Sequence, residues 1–266
     1  MLKDITLGQF FPGDTIVHRL DPRTKLILVV VYIVALFQAN SWISYALVLA
    51  VMILGMALGH ISPKNMFKGL KPMIFIIVLT ALLNVFYTQG TPVLPGWKIT
   101  WEGLERAAKM ILRIVLLITG TFLLTYTTSP IDLTDGMEIL LGPLKKLKVP
   151  VHEMTMMMSM ALRFIPTLIE ETDKIMSAQR ARGADFETGS LIQRAKALIP
   201  ILVPLFVSSF RRADDLAVAM ESRCYHGGEG RTRMKVLSYS KEDFAAFVLA
   251  ALFLATVIAV RNVGVR

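Results

Sequence analysis

The sequence has few of the residues from which metal sites and catalytic centres are built. Cys224 is the single cysteine among 266 residues, so the chain can form no intrachain disulfide and no cysteine cluster for zinc or iron–sulfur. The four histidines are dispersed, and none has a second histidine or a paired carboxylate at metal-ligand spacing. The glycine-rich phosphate loop that many ATPases use is also missing. We therefore expect no metal site, no catalytic residue and no cofactor bound by this chain.

Charged residues are scarce as well. They make up 18% of the chain and hydrophobic residues make up 54%, whereas soluble domains average about 25% and about 45–50%. This composition predicts an integral membrane protein. The 29 lysines and arginines outnumber the 20 aspartates and glutamates, and in a membrane protein such an excess indicates orientation. We expect contact with membrane lipid and no binding of nucleic acid.

Five long apolar runs predict an all-α protein with five transmembrane helices. They lie at residues 26–37, 42–59, 72–87, 104–126 and 244–260. The first is the weakest, because its 12 apolar residues make only about 18 Å of helix against a hydrocarbon core of about 30 Å. Its start is well marked, since Asp21-Pro22 has the pattern of an N-cap followed by proline. Ser62-Pro63 and Ser129-Pro130 repeat this pattern.

The distribution of charge divides the chain into four segments. These are a cytoplasmic segment over 1–24, transmembrane helices 1 to 4 over 25–127, a cytoplasmic helical domain over 128–241, and the last transmembrane helix with the carboxy terminus over 242–266. The third segment holds 16 of the 29 basic and 13 of the 20 acidic residues. Two long helices are predicted within it, from Val151 to about Arg182 and from Leu191 to Arg223, the second kinked at Pro200 and Pro204. Each carries an apolar stripe that needs cover from the membrane bundle or a partner.

The positive charges also predict the orientation. Four precede the first span and three lie between the second and third spans, whereas the connections on the other side hold only Lys98. Because cytoplasmic loops carry the excess of lysine and arginine, the amino terminus and residues 128–241 are predicted to face the cytoplasm. The carboxy terminus is then outside. The first 25 residues contain several charges and no long apolar core, so we expect no cleavable signal peptide.

Two similar short motifs lie at the predicted ends of the two long helices. Their central arginines, Arg182 and Arg223, are 41 positions apart, and each lies between small residues. One interpretation is local, because an arginine in the last turn complements the helix dipole and Gly183 can form a left-handed cap. The other is that small neighbours let a helix end enter a groove, where the guanidinium binds a carboxylate. Two such ends on one chain suit two similar partners, which favours the second interpretation.

Further motifs lie outside these helix ends. They are Phe11-Pro12-Gly13-Asp14, then His18-Arg19-Leu20-Asp21-Pro22-Arg23-Thr24-Lys25-Leu26, and Ala161-Leu162-Arg163-Phe164-Ile165-Pro166. Together with the two arginine tripeptides they make the chain resemble the transmembrane T component of energy-coupling factor transporters, the EcfT family. The likeness covers nearly the whole chain. It implies a multi-pass helical scaffold with cytoplasmic coupling helices in a bacterial or archaeal cell membrane.

The resemblance also implies partners. In that family the T component joins two ABC-type ATPases, which hydrolyse the ATP, to a small S component that captures a vitamin or micronutrient. Two Ala-Arg-Gly motifs dock into grooves on the ATPases. The first corresponds to Ala181, Arg182 and Gly183 without change. The second corresponds to Ser222, Arg223 and Cys224, which keep the arginine and replace both neighbours.

A group of methionines lies early in the first long helix. Thioether side chains repack easily, as at surfaces that accept several partners. Under the resemblance, Met154, Met157 and Met158 would form the face that supports exchangeable S components. Packing in a membrane-proximal core is the alternative interpretation.

Two other functions stay open at this point. One is a T component dedicated to a single substrate such as cobalt, nickel or biotin. The other is a membrane transferase, suggested by Asp214-Asp215, although the further carboxylate of a Mg²⁺-diphosphate site is missing. We expect these aspartates to form ion pairs on the helix surface with Arg211 and Arg212.

The predicted orientation can be tested by thiol labelling. Single cysteines at Thr15, Gly90 and Gly264, in a Cys224→Ser background, are exposed to a membrane-impermeant reagent in intact cells. Labelling at Gly90 and Gly264 with protection at Thr15 is expected, because only the first two positions lie outside. The reverse pattern would exclude this topology.

Overall fold

A computed structural model describes residues 10–92, 99–186, 188, 190–227 and 236–261. Over these ranges the chain is helical, and the only β structure is an isolated bridge between Pro92 and Thr100. The all-α prediction is confirmed. Lys98 and Gly264, which the topology prediction uses, lie outside the described residues. A Cβ at Gly90 would lie 2.1 Å from Glu102 Oε2, so the exposed Gln89 is the better labelling position.

Ten α-helices are formed by the described residues. They are α1 Ile16–Arg19, α2 Pro22–Gln38, α3 Trp42–Gly59, α4 Pro63–Leu70, α5 Ile74–Tyr87, α6 Trp101–Thr127, α7 Pro130–Leu140, α8 Val151–Ala181, α9 Leu191–Glu221 and α10 Lys241–Val260. Short 3₁₀ turns at Lys71–Met73 and Gly142–Leu147 follow α4 and α7. The two long helices therefore end within two residues of their predicted ends.

Side-chain caps begin several of these helices as the sequence predicts. Asp21 accepts a hydrogen bond from the Arg23 amide at 2.9 Å, with Pro22 at the first helical position. The Ser129 hydroxyl accepts one from the Asp132 amide at 3.1 Å. Ser62 differs, because its side chain makes no capping bond, although Pro63 still begins α4.

Five helical segments are long and apolar enough to cross a membrane. They are Trp42–Gly59, Pro63–Tyr87, Trp101–Thr127, Ile192–Glu221 and Lys241–Val260. Four of them contain predicted spans. The fifth, Ile192–Glu221, belongs to α9, and the first predicted span lies in α2, which is not among the five. With 17 residues, α2 is only about 25 Å long. Charges interrupt α9, yet it is long and apolar enough to cross a membrane.

The described helices divide between two compact units. Among the described residues, the larger takes in 10–92, 99–139 and 237–261, and the smaller takes in 140–186, 188, 190–227 and 236. In the larger unit, α2 packs against α3, α6 and α10. The Tyr32 hydroxyl of α2 donates to the Leu116 carbonyl at 2.9 Å, and Gly120 lies so close that a Cβ would be 2.3 Å from the Tyr32 ring. This close approach requires glycine at position 120.

A buried group of charged residues, here called the N-terminal anchor, joins three helices at the start of α2. Its members are Asp21, Arg23, Lys25 and Asp243. The Arg23 guanidinium donates two hydrogen bonds to the Asp21 carboxylate, at 3.0 and 2.8 Å. Lys25 Nζ donates to the Thr127 carbonyl at the end of α6, at 2.9 Å. Asp243 at the start of α10 accepts from the Asp21 amide at 3.0 Å and from the Ser240 amide at 2.7 Å.

The other end of α2 is held by a second set of polar contacts. They are Arg261 to the Gln38 side chain at 2.7 Å, Arg113 to the Ala39 carbonyl at 3.0 Å, and Ser41 to the Val260 carbonyl at 3.1 Å. Because both ends of this short helix are bonded to its neighbours, its position along the bundle is fixed.

The N-terminal anchor predicts a large effect of one substitution. Asp243→Ala removes the acceptor of the buried Asp21 amide, which should cost about 1–3 kcal/mol, and also that of the exposed Ser240 amide. Glu242→Ala is the matched control, because Glu242 is exposed while its neighbour is 1% exposed. We expect a lower unfolding temperature in detergent for Asp243→Ala alone. Equal effects of the two substitutions would refute this account of the anchor.

Candidate functional site

The smaller unit is built on α8 and α9, which pair in opposite directions. Near the middle, Glu171 accepts hydrogen bonds from Arg212, at 2.9 Å, and from Ser208. Towards the ends, the Gln179 amide donates to the Pro200 carbonyl at 3.4 Å and the Tyr225 hydroxyl to Met156 Sδ at 3.1 Å. Partners later in α8 thus lie earlier in α9, which defines an antiparallel pair.

The antiparallel pairing places the two arginine tripeptides at opposite ends of the pair. Arg182 lies level with the first part of α9, and Arg223 lies level with the first part of α8. At 1.5 Å per residue the two are roughly 40 Å apart along the pair. They are therefore two separate sites, each at a helix carboxyl end.

Arg212 corrects one prediction. The sequence predicts ion pairs between Asp214-Asp215 and the arginines three and four residues before them. Arg212 instead pairs with Glu171 of α8, and its guanidinium lies 5.9 Å from the centre of the Phe164 ring. No ion pair of either aspartate is found within the described part of the chain. The Arg212–Glu171 pair joins α9 to α8, which a pair between Arg212 and Asp215 of the same helix would not do.

The first tripeptide forms a left-handed cap. Gly183 has a φ of +87°, and its amide donates to the Arg180 carbonyl at 2.9 Å. The Ala184 amide donates to the Gln179 carbonyl at 3.0 Å. These two bonds satisfy carbonyls that the helix leaves without partners, which is the Schellman arrangement. The predicted glycine cap is confirmed.

The second tripeptide forms the same cap without glycine. Cys224 has a φ of +57°, and its amide donates to the Glu221 carbonyl at 2.8 Å. The Tyr225 amide donates to the Met220 carbonyl at 3.1 Å. Bond for bond, Cys224 corresponds to Gly183 and Arg223 to Arg182. The replacement of both neighbours at the second end therefore leaves the backbone shape unchanged.

Both arginines are available to a partner. Arg182 and Arg223 are exposed, as are Ala181, Ser222 and Cys224 beside them. Neither guanidinium makes an ion pair or a hydrogen bond among the described residues. Each is a planar five-donor fork at the end of a helix, which can bind a carboxylate with two parallel hydrogen bonds.

The three predicted methionines lie on one exposed face of α8. Met154, Met157 and Met158 are 54%, 59% and 46% exposed. Met156 and Met160 are half-buried, and Met156 accepts the hydrogen bond from Tyr225. Within this chain the trio does not form part of a packed core. Flexible side chains on such a face suit a partner surface.

An apolar face on α9 is also exposed. Its largest members are Leu198, Ile199, Leu202, Val203, Phe206, Val207 and Phe210. The sequence shows the stripe but assigns it no partner, because the same pattern suits lipid, a second protein or the bundle itself.

Comparison with known proteins gives consistent results. The chain matches the family model CbiQ, described as cobalt transport protein, over residues 13–234, a range that includes both arginine tripeptides. It is 56% identical over 254 residues to the energy-coupling factor transporter transmembrane protein EcfT of Clostridium kluyveri, with 94% of each chain covered. The protein of that name from Thermosediminibacter oceani is 53% identical, over 94% of this chain and 96% of its own. The one from Acidaminococcus fermentans is 54% identical, over 95% and 96%.

The equivalence of the two caps can be tested by exchanging their residues. Cys224→Gly should stabilise the end of α9 by about 1 kcal/mol, because a left-handed φ strains a residue with a Cβ. Gly183→Cys should destabilise the end of α8 by a similar amount. Hydrogen exchange at residues 180–184 and 220–225 measures both. Protection from exchange should rise at the end of α9 in Cys224→Gly and fall at the end of α8 in Gly183→Cys. A change in the same direction in both variants would contradict the equivalence of the two caps.

Proposed function

Since the chain belongs to the transmembrane T-component family of energy-coupling factor transporters, we propose that it is the scaffold that couples two ABC-type ATPases to a substrate-binding S component. The chain itself would hydrolyse nothing. ATP-driven motion of the ATPases would reach the S component through α8 and α9, and the transported compound would be a vitamin or another micronutrient. The observation that carries this proposal is the pair of equivalent helix ends.

The separation of the two ends supports two docking sites. Ends that lie roughly 40 Å apart along an antiparallel pair cannot both enter one small groove. Their matching caps and arginines suit two grooves of similar shape. Two related ATPase subunits, identical or different, would supply such grooves.

The exposed arginines indicate the chemistry of each groove. A guanidinium that has no carboxylate of its own binds one strongly when a partner excludes water around the pair. Each ATPase groove is therefore proposed to contain an acidic residue. The small side chains of Ala181 and Ser222 would let the helix end approach it closely.

The methionine face is proposed as the surface for exchangeable S components. Its support is the exposure of Met154, Met157 and Met158 on one side of α8. Unbranched thioether side chains can repack against differently shaped helices, so one surface can accept several S components. The position of the transported compound would then be determined by the S component.

A transporter dedicated to one substrate is the second candidate. The description of the matching family as cobalt transport protein favours it. Purification of the chain from its own membranes, with mass spectrometry of the attached subunits, separates the two. Several different S components support a shared module, and a single one supports a dedicated transporter.

Charge reversal tests the docking proposal. Arg182→Glu and Arg223→Glu should each weaken attachment of the ATPases, and the double variant should abolish transport. Loss of one partner of a buried charged contact costs about 2–5 kcal/mol, and a like charge in its place costs at least as much. Attachment is measured by co-purification and transport by uptake of labelled substrate.

Arg211→Glu is the matched control. It reverses the same charge on the exposed surface of α9, away from either helix end. We expect it to retain both ATPases, and we expect all variants to retain the S component. A double variant that still transports with its ATPases attached would show that the arginines are helix caps only.

A further inference from the structure

Three lysines form a stripe along the outer face of α4 and the start of the 3₁₀ turn that follows it. Lys64, Lys68 and Lys71 follow at spacings of four and three residues, which places their side chains on one side of the helix. All three are exposed. Their ammonium groups make no ion pair or hydrogen bond with the part of the chain that the structure describes. We call these three residues the lysine stripe.

The opposite face of α4 is fixed against α6. Met66 and Leu70 are buried there, and the Tyr126 hydroxyl donates to the Asn65 carbonyl at 3.3 Å. Gly69 is so close to α6 that a Cβ would lie 2.3 Å from the Phe122 ring. Since this side is occupied by α6, the lysine stripe must face away from the bundle.

The helices from α2 to α5 offer the stripe no counter-charge. The sequence contains no aspartate or glutamate between Asp21 and Glu102, so α2 to α5 carry no carboxylate at all. Like charges at a spacing of four residues repel each other on a helix. An external anion that lies along the stripe would remove this repulsion.

The position of the stripe along the segment Pro63–Tyr87 indicates what that anion is. Pro63–Tyr87 is long and apolar enough to cross a membrane, and the lysine stripe occupies one end of it. From Lys64 to Lys71 the helix rises about 10 Å, which is enough to cross the headgroup layer of about 5–8 Å on one side of a bilayer. Phe67 and Phe75, 71% and 74% exposed, flank the stripe. Exposed aromatic side chains beside basic ones are typical of the membrane interface.

We propose that the lysine stripe binds the headgroups of anionic phospholipids in the adjacent leaflet. The lysine ammonium groups donate hydrogen bonds to the phosphate oxygens, while Phe67 and Phe75 contact the acyl chains. In the predicted orientation this is the cytoplasmic leaflet, whose negative surface potential adds to the attraction. Each lysine near such a surface strengthens binding about fivefold. The proposal does not depend on the coupling role.

The test compares lipid retention by three forms of the full-length chain. Purified protein in detergent is given equal amounts of phosphatidylglycerol and phosphatidylcholine, and the retained lipid is identified by native mass spectrometry. The stripe variant carries Lys64→Gln, Lys68→Gln and Lys71→Gln. The control carries Lys145→Gln, Lys146→Gln and Lys148→Gln, which removes the same charge from three exposed lysines of the smaller unit.

Wild type and the control should retain more phosphatidylglycerol than phosphatidylcholine. In the stripe variant the ratio of the two retained lipids should fall at least about tenfold. Added salt should weaken the preference of wild type, because exposed charges are screened. A variant with arginine at the three stripe positions should keep it, which separates lost charge from misfolding. Free inorganic phosphate should not displace the lipid, since it lacks the acyl chains that Phe67 and Phe75 contact.

Three outcomes would overturn the proposal. The stripe variant could retain phosphatidylglycerol as wild type does, or the control could lose it equally, which would make net charge the cause. Alternatively, the stripe variant could shed the ATPases or S component from the assembled transporter while keeping its lipid. That result would identify the lysine stripe as a protein interface.

Discussion

The larger unit depends on a buried charged network at the point where α2 begins. Charges removed from water are tolerated only when each has a partner, and here every member of the N-terminal anchor is bonded. The bonds join residues far apart in sequence, since Asp21 and Asp243 are separated by 222 positions. After α7 the chain forms the smaller unit and then returns to the larger unit at α10, where Asp243 bonds to the Asp21 amide. Without this fixed point, the start of the last helix would be held mainly by apolar packing, and only its far end would keep polar bonds to the bundle.

The same logic explains why α2 can be short. A membrane helix usually holds its position by matching the bilayer thickness, but polar bonds at both ends of α2 attach it to α6 and α10 instead. The smaller unit uses a related device. The Glu171–Arg212 pair lies near the middle of α8 and α9, where it opposes sliding of one helix along the other. On the proposed function, this is what would let a displacement at one docking end reach the rest of the pair.

Local features were predictable from the sequence, and pairings between distant elements were not. The apolar run 42–59 coincides with α3, Asp21-Pro22 begins α2, and Gly183 ends α8, because each depends on a few consecutive residues. The partner of Arg212 could not be predicted, since Glu171 is brought beside it only by the antiparallel pairing.

The left-handed cap at Cys224 could not be predicted from the sequence either. Only the hydrogen bonds of the backbone reveal a left-handed residue where the sequence shows no glycine. That α9 is long and apolar enough to cross a membrane was also not predicted, because charges and prolines interrupt its apolar run.

The two caps separate backbone shape from side-chain identity. One is formed with glycine and the other with cysteine, yet the same carbonyls are bonded in the same order. Selection can therefore alter the residues around one arginine without changing how that helix ends. On the proposed function, such freedom would matter to a subunit that docks two related but different partners. Each end of the helix pair could then carry side chains specific to its own partner, while both ends keep the same backbone shape.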